Sequence, residues 1–174
     1  WNSTLVHRDD LQFEGGQWLP KIFTEFRKRV EKETDYRQPI AAPTKEGHSA
    51  SLPDGFKIGD VPTYDDLGLG KPPSDPRSAV KPIQGGETAG WTRLDHYLWE
   101  TDLVKKYKET RNGLVGEDYS TKFSAYLALG CLSARSIAAE VTRYETERTK
   151  NRSTYWVIFE LLWRDYFRFI CQQH

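Results

Sequence analysis

The stretch Tyr155-Trp-Val-Ile-Phe-Glu-Leu-Leu-Trp-Arg-Asp-Tyr-Phe-Arg-Phe-Ile170 decides how this sequence folds. Wound at helical pitch, its apolar residues leave almost no polar side, and a helix apolar all round is buried within a larger body of protein. The pattern predicts a helix over 155–171, opened by Thr154. Four charged residues interrupt it: Glu160 and Arg164, four apart on one face, and Asp165 and Arg168. Burying an ion is costly unless it is paired or bound to something. Two readings follow. One is an intrahelical Glu160–Arg164 bridge, worth about 0.3–0.5 kcal/mol if exposed. The other turns Arg164 toward an anionic or polar ligand and Glu160 toward a polar one, with Trp163 beside them. Spacing leaves both open.

Upstream, Tyr119-Ser-Thr-Lys-Phe-Ser124 leads into a small apolar helix ending at Gly130. Three hydroxyls and an ammonium thus gather where backbone N–H groups lack partners, a corner able to hold a phosphate. Ser and Thr are also preferred helix caps, so an ordinary cap explains the same residues. Ser133 caps a helix through Ile137, Val141 and Tyr144. Ala89, Trp91, Leu94, Tyr97 and Leu98 mark another, and Leu103, Val104 and Tyr107 a shorter one, with a polar loop over 108–120. Leu19, Ile22, Phe23, Phe26 and Val30 predict a helix over 19–30, with Pro20 in its first turn. Thr4–His7 and Phe56–Ile58 are weak strand candidates.

Eight of the nine prolines fall between Pro39 and Pro82. So long an irregular stretch is a connector or a strap. Phe56, Ile58, Val61, Tyr64, Leu67 and Leu69 favour a strap held down by apolar anchors.

With 25 basic and 25 acidic side chains in 174 residues, net charge points to no polyanionic partner, so nucleic-acid contact requires a local patch. The chain begins at Trp1, lacks methionine and stops without a helix-ending signal, so both ends read as cuts through a larger protein. No signal peptide or membrane-length apolar run is visible, and Cys131 and Cys171 read as buried thiols, pointing to a soluble intracellular protein. No Walker loop or dinucleotide fingerprint occurs. His7, His48, His96 and His174 are too far apart to suggest a metal site.

Gly113-Leu-Val-Gly-Glu-Asp-Tyr-Ser-Thr-Lys-Phe-Ser-Ala-Tyr-Leu-Ala-Leu-Gly-Cys-Leu-Ser133 resembles the flavin-phosphate segment of the photolyase/cryptochrome family, in its cryptochrome-DASH branch. The 155–169 stretch resembles the helix that follows it there. Gly85-Gly-Glu-Thr-Ala-Gly-Trp-Thr-Arg-Leu94, Trp1-Asn-Ser-Thr-Leu5 and Asp9-Asp-Leu11 agree as well. Ala125 and Ala134 replace the usual prolines, and Tyr126 a frequent tryptophan.

The resemblance implies a mainly α internal fragment of a larger protein that joins an α/β domain to an all-α FAD-binding domain. Residues 1–34 would end the α/β antenna domain, 35–84 form the connector, and 85–174 begin the helical domain. Tyr107, Ser120, Thr121, Lys122, Phe123, Ser124 and Arg164 would contact FAD, and Glu160 and Trp163 would face the substrate. The implied function is that of a blue-light-dependent DNA photolyase repairing cyclobutane pyrimidine dimers, preferably in single-stranded DNA. The alternatives are a cryptochrome photoreceptor signalling to a protein partner without repair, and a helical scaffold that has lost flavin. A folate antenna, methenyltetrahydrofolate, is implied for the parent, with its site mostly outside this sequence. The fragment alone is expected to be inactive.

Overall fold

The computed structural model describes residues 3–11, 13, 19–44, 52–71 and 83–173. Two compact units are present: residues 1–39 with 79–174, and residues 40–78.

The first unit is built on its longest helix, which we number α6 (Arg152–Gln173). Its neighbours, in chain order, are α1 (Phe23–Glu33), α2 (Glu87–Asp95), α3 (Tyr107–Thr110), α4 (Ser124–Ala128) and α5 (Ala134–Glu147). Val157, Leu161, Leu162, Tyr166 and Phe169 of α6 are buried, as the apolar pattern requires, while Phe167 is 58% exposed. The helix starts earlier than Thr154. Asn151 Oδ1 accepts from the amides of Ser153 (2.7 Å) and Thr154 (3.0 Å), satisfying free N–H groups of the first turn. Thr154 is instead fully buried, and its hydroxyl donates to Glu145 Oε1 at 2.6 Å.

Phe23 of α1 stacks on Trp163 (centroids 3.6 Å, 15°), and Phe26 packs against Tyr166 and Phe169. The helix begins at Phe23, not Leu19. Ile22 has extended backbone and is 65% exposed, so Leu19 reaches the core from a bent, non-helical lead-in whose spacing imitates a helix. Ser133 caps α5 as expected, its Oγ accepting from the Ser136 amide at 2.9 Å. Helix α2 runs into a π-helical turn, His96–Glu100, and the short helix expected around Leu103 resolves into a 3-10 turn, Leu103–Lys106, followed by α3. The expected loop therefore starts only after Thr110. Gly130, at φ +74°, closes the stretch after α4 with the left-handed residue a helix exit favours.

Neither strand candidate forms a strand, and none occurs among the described residues. Residues 3–6 are held by side chains instead. Val6 N donates to Asp165 Oδ2 (2.8 Å), Arg164 Nη1 to Ser3 O (2.9 Å), Arg168 Nη1 to Ser3 Oγ (2.8 Å) and Arg135 Nε to Leu5 O (3.3 Å). Three charges of the apolar helix are thus engaged by one N-terminal segment, which offsets part of their burial cost. The cysteines are not buried: Cys131 is part-exposed and Cys171 exposed.

In the second unit, Thr63 donates from its amide (2.8 Å) and its hydroxyl (2.7 Å) to Asp66 Oδ2, which closes a local turn. Phe56, Ile58, Val61, Tyr64, Leu67 and Leu69 are 52–90% exposed, so this unit does not bury them within itself. Short self-bonded turns gather no common apolar face for them.

Candidate functional site

Segment 117–123 has no regular structure, yet it is tightly held, and Arg93 of α2 holds it. Its Nε donates to Thr121 O (3.0 Å), Nη2 to Glu117 O (3.0 Å) and Ser120 O (2.9 Å), and Nη1 to Asp118 Oδ1 (2.7 Å). The guanidinium also lies 5.3 Å from the Tyr97 ring centroid. Asp118 is contacted in turn by His96 Nε2 at 3.3 Å, while His96 Nδ1 is 3.1 Å from Glu100 Oε2. Burial pushes the Asp118 carboxyl up, but hydrogen bonds from Arg93 and His96 outweigh it, leaving it below its ordinary value.

With the carbonyls turned toward Arg93, the hydroxyls of Ser120, Thr121 and Ser124 make no hydrogen bond among the described residues. The N-cap of α4 is Phe123, without a side-chain cap, so the ordinary-cap explanation of these hydroxyls does not hold. Lys122 adopts φ +59°, which is uncommon for a residue with a side chain and worth attention near a functional site. Its ammonium lies 3.5 Å from the Tyr119 ring centroid. Close approach of Gly113 permits that placement, since a Cβ there would come within 2.9 Å of Tyr119 Cβ. Beside Lys122 opens a groove of about 560 Å³, lined among others by Thr88, Thr92, Arg93, His96 and Tyr126, within the usual size of small-molecule sites.

Tyr107 and Phe123 are buried and flank Tyr97 edge-on, with centroids at 6.3 and 6.4 Å. Burial pushes the Tyr107 hydroxyl up to about 12, with the Glu160 carboxylate adding to the effect, so it remains a neutral donor. Tyr97 and Arg93 therefore join the predicted aromatic residues to the predicted hydroxyl loop.

Arg164 is not beside Lys122 and does not line that groove. Besides Ser3 O, it reaches Leu127 O at 3.4 Å, at the far end of α4 from Lys122. Burial, then Arg168, pull Arg164 below the ordinary arginine value, against the opposing pull of Asp165. No Glu160–Arg164 bridge forms. Glu160 Oε1 accepts from Arg111 Nη1 at 2.7 Å, 49 residues away. Trp163, one turn along α6, is stacked between Phe23 and Phe167. Lys108 and Arg111 lie 4.9 and 5.7 Å from the Trp156 ring centroid, giving a local basic and aromatic patch next to Glu160.

Sequence reasoning missed Arg93 and Arg111. The acceptors of Arg93 are mostly backbone carbonyls, which leave no mark in a sequence, and Arg111 sits far from Glu160 along the chain.

No family model matches the chain. Among curated relatives, cryptochrome DASH of Danio rerio is 52% identical over 174 residues, covering 100% of this chain and 33% of the relative. Cryptochrome DASH of Gloeobacter violaceus is 54% identical, covering 100% of this chain and 34% of the relative. A crystal structure of a Synechocystis cryptochrome superposes with TM-score 0.86 at 50% identity, over 99% of this chain and 34% of that one. The chain therefore spans about a third of the length of these relatives. Near-complete coverage at such identity, joined to a shared helical fold, shows that it belongs to the photolyase/cryptochrome family, in the cryptochrome-DASH branch.

Proposed function

We propose that this chain supplies the phosphate-side wall of an FAD site, and that the protein containing it is a light-driven DNA photolyase. The supporting observation is the loop at 119–124: Ser120, Thr121 and Ser124 carry hydroxyls without a hydrogen bond among the described residues, and Lys122, between them in the chain, lines a groove of about 560 Å³. That donor set suits a diphosphate, because the hydroxyls donate hydrogen bonds and the ammonium balances charge. Tyr107 and Phe123 would wall the flavin body, and Arg164 would fix α4 beneath it through Leu127 O.

When bound, reduced FAD supplies the light-driven electron that splits a cyclobutane pyrimidine dimer. This chain's residues bind and orient. Glu160, Trp163 and Arg164 lie within one turn of α6, and the Lys108–Arg111–Trp156 patch beside Glu160 combines charge with a stacking surface, as single-stranded nucleic acid requires. A dimer must leave the base stack to be reached, which costs least in single strands. That cost supports single-stranded substrate. Domain limits near residues 34 and 84 and a folate antenna elsewhere in the protein complete the proposal.

The test uses the full-length protein, reduced, flavin-loaded and illuminated with a dimer-containing single-stranded oligonucleotide. Thymine absorbance should return. Unchanged absorbance with flavin bound would point to a photoreceptor, and a protein that takes up no FAD would point to a helical scaffold.

A further inference from the structure

We infer that Arg93 is the positioning residue of the phosphate-binding loop, an assignment that rests on the flavin reading above. Loops that bind anions normally present backbone amides or side-chain donors, and they need their carbonyl oxygens turned away from the anion. Here one side chain performs that turning. A single guanidinium takes the carbonyls of Glu117, Ser120 and Thr121, and anchors itself on the Asp118 carboxylate.

The consequence is local and geometric. Carbonyls at 117, 120 and 121 face α2, so the hydroxyls of Ser120 and Thr121 remain unengaged, and the next residue, Lys122, is forced to φ +59°. Left-handed backbone at a residue with a Cβ persists only where surrounding contacts over-determine it. Arg93 supplies those contacts. Its own position is fixed by the Tyr97 ring and by Asp118, which His96 contacts from the following π-helical turn. The guanidinium has five donors in a rigid fork, and four bonds to four acceptors use that geometry in a way an ammonium cannot reproduce. Arg93 itself need not touch the cofactor.

Full-length Arg93→Lys and Arg93→Ala proteins, stripped of flavin, should be titrated with FAD and, separately, with riboflavin, which lacks phosphates. Lysine keeps the charge and the aliphatic stem, so it preserves packing while losing the fork. For Arg93→Lys, FAD affinity should fall tenfold or more while riboflavin affinity stays within about twofold, a split that general loosening does not produce. Asp118→Asn, which leaves the carbonyl bonds in place, should lower FAD affinity less than Arg93→Lys does. FAD affinity of Arg93→Lys within twofold of wild type overturns the assignment alone. Equal losses for FAD and riboflavin, or a larger loss in Asp118→Asn, also overturn it, because they mark a purely structural role. A wild-type protein that binds riboflavin and FAD equally, or neither, overturns the phosphate-site reading itself.

Discussion

Replacing Asp165 with asparagine should change how stability depends on pH, and the structure fixes sign and size. Asp165 is fully buried on α6, accepts from the Val6 amide at 2.8 Å, and leaves Oδ1 without a hydrogen-bond partner among the described residues. Burial pushes its carboxyl up to about 7, against the pull of the Val6 amide and of Arg164. In the unfolded chain the group titrates near 3.8. A carboxyl raised on folding is protonated in the folded state and ionised in the unfolded one between those values. Its contribution is thus fully present below pH 3.8 and lost as pH rises through 7, with a slope of about −1.4 kcal/mol per pH unit. The ceiling on the total is about 4 kcal/mol. Relaxation around the ion makes about 1–2 kcal/mol a realistic expectation. Asparagine keeps an acceptor for Val6 and removes the charge. Urea midpoints of the full-length protein at pH 4 to 8 should therefore show Asp165→Asn gaining on wild type as pH rises. Curves that stay parallel within about 0.5 kcal/mol across that range would refute the buried-carboxyl account.

Arg164→Ala should accelerate FAD loss more than Arg168→Ala, by about tenfold, because Arg164 ties Ser3 and Leu127 while Arg168 ties only Ser3 Oγ. Equal dissociation rates, followed by flavin fluorescence, would show that the link to α4 does not matter. Glu160→Gln should leave flavin bound and lower stability by less than about 1 kcal/mol, since the Arg111 pair is about one-third exposed. Single-turnover dimer splitting should slow, and a normal rate would remove Glu160 from the substrate edge. Gly90→Ala places a Cβ 3.0 Å from Leu132 Cγ and 3.2 Å from Tyr126 Cδ1. Overpacking of about 1–3 kcal/mol then outweighs the roughly 1 kcal/mol gain in helix propensity. The urea midpoint should fall, and a rise would mean that Leu132 and Tyr126 yield freely.

Legibility in the sequence followed the range of each interaction. Ser133 and its partner Ser136 are three apart, and the cap was readable. The apolar excess of α6 announced burial, as Leu161, Leu162 and Phe169 show. Thr154 misled because Asn151, three residues earlier, already caps the helix at the amides of Ser153 and Thr154, which leaves Thr154 inside the first turn. For Glu160 and Arg164 spacing left two readings open, and the bridge is the one that fails, because distant Arg111 and Ser3 take the two side chains. The hydroxyl corner was readable as residue types. What organises it was not, since Arg93 acts on carbonyls 24–28 residues away. The apolar residues near Phe56 suggested anchors, but anchoring depends on a surface that their own segment does not provide.

A crystal structure of the FAD-loaded, full-length protein tests the central claim most directly. Phosphate oxygens should lie within about 3.2 Å of the Ser120 or Thr121 hydroxyls and within ion-pair reach of Lys122, with the Arg93 bonds intact. Phosphates bound elsewhere, with those hydroxyls still unengaged, would contradict it.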